Sequence, residues 1–484
     1  MRKKNIYLSI ILSFIGLSIM AQTAEDALRF SENSSLGTAR FIGLSGAMGS
    51  IGGDLSSINY NPAGLGIYKS SEYVWAPRYL YVKNKANYNG NSSTETRDNL
   101  NFGLAGLVST IPVFGKSGIA GWKYMQFGLT VNRVNNYRSD IYIEGDSYGG
   151  SRVFDWRDQA NGHYPNDLNL FGSNLAWETY LLDTLNGYSN QYQTAVPSEG
   201  VYQTYSKQSQ GYKNEMSFAF SGNYNDKFFI GTSLNFSFLR YSSSIYTTEE
   251  ALFQPKVYEF NNFSYREELL TKANGFNAKV GVIYMITPAI RISGAFHTPT
   301  WYYDMTDDYY SKINSTMSNG EKYTKTSPNG RYDYKLYTPL RAMGGASFFF
   351  SNLGFLSIDY EYMDYSQAQF KSSESSLNEA NQQISQDFVA THNLRIGAEV
   401  RLQSLFLRGG YGIGTSPVNS DINDLLQSQW SVGFGYRSGP FFMNFAFMQQ
   451  LQSQNYYMYN AEYVNPAYLE TNKNTFSASL GFKF

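Results

Sequence analysis

Thr475-Phe476-Ser477-Ala478-Ser479-Leu480-Gly481-Phe482-Lys483-Phe484 sets apolar side chains on even positions against small or polar ones on odd positions. Successive side chains of a strand point to opposite faces, so this stretch has one face that wants an apolar solvent and one that tolerates charge. The rhythm recurs at Trp430, Val432, Phe434 and Tyr436, set against Ser431, Gly433, Gly435 and Arg437. It recurs again at Leu394, Ile396, Ala398 and Val400, set against Arg395, Gly397, Glu399 and Arg401. Further copies centre on Leu129, Phe218, Leu234, Val280, Ile292 and Ile358, and less regular runs lie near residues 72 to 83, 100 to 111, 334 to 350, 405 to 414 and 441 to 450. The total is about 14, and an even number of such segments predicts an all-β fold, a transmembrane antiparallel β-barrel.

Composition agrees with a wall of this kind. Aromatic residues make up 17% of the chain, with 42 Tyr and 34 Phe, which suits two aromatic girdles at membrane interfaces. Mean hydropathy is only −0.38. Alternation of lipid-facing and lumen-facing residues produces that average, and no later stretch is long and apolar enough for a membrane helix. There are no cysteines, which removes disulfides and thiolate metal ligands, and His163, His297 and His392 are the only histidines, in no metal-ligand spacing. No cofactor is expected. A balance of 38 basic against 39 acidic residues offers nucleic acid no electrostatic attraction. Gly-x-Ser-x-Gly is absent, Gly43-Leu44-Ser45-Gly46-Ala47 being the nearest approach, so the expectation is a protein that is not an enzyme.

The start of the chain reads as a secretory signal peptide over residues 1 to 21: Arg2, Lys3 and Lys4, an apolar run from Ile6 to Met20, then Ala21 before a polar stretch. Links between strands are short near 224 to 227, 287 to 288, 351 to 354, 403 to 404 and 438 to 440. They are long and polar near 242 to 268, 304 to 332, 366 to 390, 415 to 428 and 452 to 473. Short periplasmic turns paired with long external loops put both termini in the periplasm of a Gram-negative type outer membrane. The longest external loop, about 140 to 212, carries Leu175, Trp177, Leu181, Leu182 and Leu185, an apolar set compatible with a short helix. It serves either as a ledge that collects ligand or as simple packing over the barrel mouth.

Residues 22 to 70 do not read as strand. Gly43, Gly46, Gly49 and Gly52 recur at every third position, while Phe41, Leu44, Met48, Ile51 and Leu55 follow helical spacing. Glycine-faced helices of this kind pack closely against a wall. The segment closes in Asn61-Pro62-Ala63-Gly64-Leu65-Gly66, a compact turn ahead of the barrel, which occupies residues 71 to 484.

From Gly37-Thr38-Ala39-Arg40 through Gly53-Asp54 to Asn61-Pro62-Ala63-Gly64-Leu65, this N-terminal segment resembles the FadL-type family of outer-membrane transporters for long-chain fatty acids and other hydrophobic compounds. The resemblance implies a 14-stranded barrel plugged by a small N-terminal helical hatch in the lumen. It also implies passive uptake, with gating at Asn61, Pro62, Ala63 and Gly64 and sideways release through a gap made by a kink in the third strand. That strand is expected from about Trp122 to Tyr137, and Gly128 is its residue most able to permit a kink. The terminal Phe484 resembles the signal read by the barrel assembly machinery, a partner during biogenesis alongside outer-membrane lipids and the hydrophobic ligand.

By parity, Lys279, Arg291, Arg395, Arg401, Arg408 and Arg437 face the lumen together with Asp359, Glu361 and Glu399. Arg291, Arg395 and Arg408 either contact a ligand carboxylate or take part in charge pairing that fills a polar interior. A general porin or a surface adhesion barrel is the alternative function, as is uptake of haem or another apolar ligand. A hatch that blocks the lumen separates these readings.

Overall fold

The computed structural model describes residues 23–34, 36–113, 121–185, 189–253, 260–372, 377–419 and 426–484. The signal-peptide expectation for residues 1 to 21 lies outside the described residues.

Fourteen antiparallel strands close into a barrel. They are β1 (Glu72–Tyr88), β2 (Asn91–Pro112), β3 (Trp122–Asn136, continued by Ser139–Ser147), β4 (Val201–Tyr224), β5 (Phe228–Ala251), β6 (Phe260–Thr287) and β7 (Ile290–His297, continued by Trp301–Met317). The ring goes on with β8 (Lys322–Thr326, Gly330–Tyr337 and Arg341–Phe349), β9 (Gly354–Asp364, continued by Gln369–Lys371), β10 (Ala390–Leu402), β11 (Leu405–Gly414), β12 (Leu426–Ser438), β13 (Phe441–Tyr456) and β14 (Ala467–Lys483). β14 pairs back onto β1 from Tyr468 opposite Asn87 to Lys483 opposite Glu72. Below that ladder Ser71 and Phe484 exchange both backbone hydrogen bonds, at 3.0 and 3.1 Å, so first and last strands meet at the short-turn end.

The expected alternation is the physical signature of this wall. On β6, Phe276, Val280, Val282, Tyr284 and Ile286 are exposed on the outer face, while Asn277, Lys279 and Ile283 are buried in the lumen. From Phe276 to Ile286, at ~3.4 Å per residue and a tilt of about 40°, this face spans about 25 Å, the height of a membrane's apolar band. No described helix is long and apolar enough to cross a membrane; the strands make the crossing.

The links read as long polar loops are in large part strand. β5 runs on to Ala251 and β6 starts at Phe260, and the stretch expected as a link at 304 to 332 lies mostly in β7 and β8. Beyond the apolar band the outer face of a strand meets water and turns polar, while the inner face buries polar residues such as Thr247 and Glu249 as well as apolar ones such as Phe263 and Ile313. The apolar-outward alternation therefore vanishes while the hydrogen-bond ladder continues. β1 and β2 even meet at that end through the two-residue turn Asn89-Gly90, whose φ values of 44° and 90° fit a hairpin turn with both central residues left-handed.

The longest link folds into a cap. It contains α4 (Arg152–Ala160), α5 (Ser173–Glu178) and a small hairpin, Leu182–Thr184 with Tyr192–Thr194. Leu175, Leu181 and Leu182 are buried there with Trp156, Phe263 and Ile313, so these side chains pack the cap onto the strands; Leu185 is exposed. The expected amphipathic helix is only the six residues of α5, because Tyr180 turns left-handed (φ 58°) straight after it.

Candidate functional site

The N-terminal segment lies inside the barrel. A further set of helices, α1 (Ala24–Ser31), α2 (Ala39–Ile42), α3 (Ser57–Tyr60) and the 3-10 turn Pro62–Ile67, is joined by glycine-rich turns. The helical spacing read from Phe41 to Leu55 therefore yields helix only over Ala39–Ile42: Gly46, Gly52 and Gly53 take φ of 82°, 63° and 64°, which ends any helix. The five apolar residues of that spacing are nevertheless all buried. Phe41, Leu44, Met48 and Ile51 pack on Met343 and Phe355, while Leu55, Ile58 and Leu65 pack on Val74, Leu104 and Val108. This is the hatch.

Asn61 organises its last turn. The side-chain carbonyl caps the 3-10 turn by accepting from Ala63 N–H at 3.2 Å, and Pro62 supplies the preset φ at the first position. The amide Nδ2 donates to Gly49 O at 2.8 Å inside the hatch and to Val282 O of β6 at 3.4 Å. The wall makes room for this motif: a Cβ at Gly281 would lie 1.9 Å from Asn61 Oδ1, and one at Gly231 would lie 2.4 Å from the Pro62 carbonyl. Ala63 is buried against Phe229 and Ile283, and Gly64 O accepts from Gly53 N at 2.9 Å.

Polar contacts wedge the hatch to many strands. Arg40 Nε donates to Glu399 at 3.2 Å, Gly49 N to Asp359 at 2.6 Å, Asn59 Nδ2 to Glu215 at 3.1 Å, and His297 Nε2 lies 2.8 Å from Tyr60 O. Burial works against the charge of Arg40, and Glu399 and Asp54 over-compensate, holding its guanidinium above the ordinary value. Burial raises the phenol of Tyr60 in the same interface, reinforced by Asp359.

The three lumenal arginines do not converge. Arg395 is held by Glu361 at 3.1 Å and Tyr60 Oη at 3.2 Å, and Arg408 by Glu399 at 2.7 Å and Asn444 at 2.8 Å. Arg291 lies 4.2 Å over the Phe349 ring and donates to Ile51 O at 3.1 Å. Arg291 and Arg395 act between wall and hatch, while Arg408 is held by wall groups and shares Glu399 with Arg40 of the hatch. Lys279 likewise has Glu215 at 2.7 Å, a lumenal partner absent from the parity reading. Among the described residues no three acidic, His or Cys side chains come together as a metal site.

An aromatic box sits higher in the lumen, and α1 fills it. Phe30, fully buried, stands edge-on to Tyr137 and Tyr241 with ring centroids 6.2 and 5.9 Å away. Its carbonyl accepts from Lys213 Nζ at 2.9 Å. The described start of the chain thus lies inside the barrel, because strand parity fixes where β1 begins and not where the preceding segment runs. Burial also pushes up the Glu32 carboxyl just after α1, with Lys473 and Arg29 opposing.

The wall beside this segment is broken. β3 pairs with β2 only from Tyr124 opposite Pro112 to Asn132 opposite Leu104. Its register against β4 then slips between Arg133 and Asn135, and the continuation Ser139–Ser147 pairs with β4 but not with β2. Among the described residues β2 from Asn91 to Gly103 therefore has backbone pairing on its β1 side only. Side chains bridge the seam: Asn136 to Asn99 at 2.9 Å, Arg97 to Asp140 at 3.0 Å, and Ser93 to Tyr142 O. From within, Ser34 N donates to Val134 O at 3.1 Å, so the stretch between α1 and α2 runs along the seam. Gly128 lies below the break, paired with Val108 and Ala219, and its missing Cβ leaves space for Ile58 and Leu65 of the hatch. Arg78, Arg133, Lys213 and Phe30, which line this region, carry no local pattern that sets them apart in the sequence.

No protein-family model and no curated protein matches the chain. Solved structures do. The toluene transporter TodX of Pseudomonas putida superposes with a TM-score of 0.54 at 12% identity, covering 94% of this chain and 100% of that one. A FadL homologue of Pseudomonas aeruginosa gives 0.56 at 12% over 93% and 99%, and the toluene transporter TbuX of Ralstonia pickettii gives 0.50 at 14% over 93% and 99%. The chain has the fold of the FadL-type family of outer-membrane transporters.

Proposed function

We propose that this chain is a passive outer-membrane channel for the uptake of hydrophobic small molecules, long-chain fatty acids among them, gated by its hatch and releasing cargo sideways into the membrane. The observation that carries the proposal is the seam between β2 and β3. Its lower end, Leu100 to Gly103, lies level with the outward-facing Tyr79 in the apolar band, where unpaired backbone costs several kcal/mol per group, so a wall that gives up its ladder there does so for a use. The aromatic box at Phe30 is the lumenal site, where an apolar body displaces the ring and a carboxylate replaces the carbonyl on Lys213. Fold neighbours described as toluene transporters agree with a hydrophobic cargo.

Against a general porin, the hatch stands between a cavity of about 120 Å³ beside Glu361 and Arg395 and one of about 720 Å³ at the short-turn end beside Arg40 and Glu399. Lipids cover the apolar band, the barrel assembly machinery takes the C-terminal strand, and the short-turn end faces the periplasm. Labelled long-chain fatty acid uptake by cells lacking their own importer tests the reading. Saturable uptake that requires residues 22 to 66 supports it, and conductance for small polar solutes without such uptake moves the assignment to a porin.

A further inference from the structure

We infer that Arg78, with Arg133 beside it, is the latch of the seam and the group through which an anionic head on the cargo opens it. This rests on the sideways-release reading and adds its trigger. Arg78 is 2% exposed, midway up the apolar band between the outward-facing Trp75 and Tyr81. Its guanidinium ties three elements together: it belongs to β1, donates to Arg133 O of β3 at 3.3 Å, and donates to Gly37 O of the hatch at 3.1 Å. Its Nε has no partner among the described residues. The charged group acting on it is Arg133, another cation, which is held by Asn214 at 3.2 Å and by the faces of Phe102 and Tyr212.

This sets Arg78 apart from Lys279, Arg395 and Arg408, each of which has a carboxylate within 3.1 Å. A buried cation without a counter-charge is strongly unfavourable, and an anion that reaches it relieves that cost. Both of its present bonds go to neutral carbonyls. A carboxylate makes charge-assisted bonds roughly twice as strong and takes two guanidinium donors at once. Capturing one therefore removes Arg78 from Gly37 and from Arg133, which frees the hatch segment and the kinked strand together. The ligand thus binds the open arrangement better than the closed one, as a gate requires. Lipid headgroups lie about half the ~25 Å band away, so the anion comes with the cargo. Outside the wall at the same level, Tyr79, Leu100, Phe434, Phe445 and Phe476 border an apolar groove of about 650 Å³, next to Pro77 and Arg78, where an aliphatic tail has room to lie.

The test compares uptake of a labelled long-chain fatty acid with that of the fatty alcohol of equal length, in cells lacking their own importer, for wild type, Arg78→Gln and Arg78→Lys, each checked for heat-resistant migration on gels. The ratio of acid to alcohol uptake is expected to fall about tenfold in Arg78→Gln, the loss of one charge-assisted interaction, and to recover in part with lysine. An unchanged ratio overturns the latch, whether both uptakes fall together or neither moves. A phospholipid that copurifies with wild type and is lost from Arg78→Gln at an unchanged ratio assigns the anion to lipid and also overturns it. If Arg78→Gln does not assemble, Arg133→Gln, whose side chain is only half-buried, removes the second cation and leaves the bonds of Arg78 in place; the acid-to-alcohol ratio is still expected to fall, and an unchanged ratio overturns the latch. Wild type carrying neither compound removes the uptake reading itself, and the latch with it; wild type carrying both at a ratio that no variant changes removes the latch alone.

Discussion

Arg40 Nε on the hatch lies 3.2 Å from Glu399 Oε2 on β10, and the same carboxylate accepts from Arg401 at 3.0 Å and from Arg408 at 2.7 Å. One buried anion thus holds three cations, one on the hatch and two on the wall. Removing it differs from removing any one of its partners. Glu399→Gln leaves three guanidiniums facing a neutral amide, a loss of roughly 3–5 kcal/mol by comparison with other broken buried pairs, reduced somewhat because Arg401 is partly exposed. Arg40→Met leaves Glu399 with two partners. Gel-shift melting is expected to show a larger drop in unfolding temperature for Glu399→Gln than for Arg40→Met, and equal drops would deny the shared carboxylate its role.

At the Asn-Pro-Ala turn, the hydrogen bonds from Asn61 to Gly49 and Val282 join this turn to the middle of the hatch and to β6. Asn61→Ala or Pro62→Ala is expected to lower uptake several-fold while the barrel stays heat-resistant, since the wall ladder is untouched. Gly281→Ala, whose new methyl would meet Asn61 Oδ1, should reproduce the Asn61→Ala defect without changing the motif itself. Full uptake in all three variants would take gating away from this turn.

In the aromatic box, Phe30→Ala removes the ring that occupies the space between Tyr137 and Tyr241. Losing a buried phenyl group costs about 3–5 kcal/mol of local packing, and an apolar carboxylate that fills the space recovers part of it. Titration of the purified protein with a fatty acid is expected to show tighter binding to Phe30→Ala than to wild type. That gain should disappear in Phe30→Ala with Lys213→Met. Weaker binding to Phe30→Ala would place the ligand elsewhere.

The barrel was legible because each membrane-crossing strand repeats a two-residue code: Leu394 and Ile396 outward, Arg395 and Glu399 inward. The code fails where its cause fails. Beyond the apolar band, in β7 from Trp301 to Met317, the outer face carries polar residues in water while the inner face buries Tyr302, Met305 and Ile313 beside Asp307, Ser311 and Ser315, so the apolar-outward code is lost and strand reads as loop. On β2 the phase slips at Gly103 (φ 64°), so that Leu100 and Leu107 both face outward, and the strand read as irregular. Parity places Arg291, Arg395 and Arg408 in the lumen together with Glu361 and Glu399, the carboxylates that hold Arg395 and Arg408, but not the hatch groups that meet them. Arg40 and Glu399 are 359 residues apart in sequence, and no local pattern links them. The same holds for Arg78 and Gly37: a single arginine on a strand announces neither its burial nor the lack of an acid beside it.

The absence of native cysteines allows one direct measurement of the route. Asn99 and Asn136 face each other across the seam at 2.9 Å, so Asn99→Cys with Asn136→Cys places the only two thiols of the protein on its two sides. Uptake of labelled long-chain fatty acid by cells carrying this double variant should be lost on oxidation and return on reduction, each single variant remaining active under both conditions. Undiminished uptake through a seam shown to be cross-linked would contradict sideways release and direct the cargo past the hatch to the short-turn end.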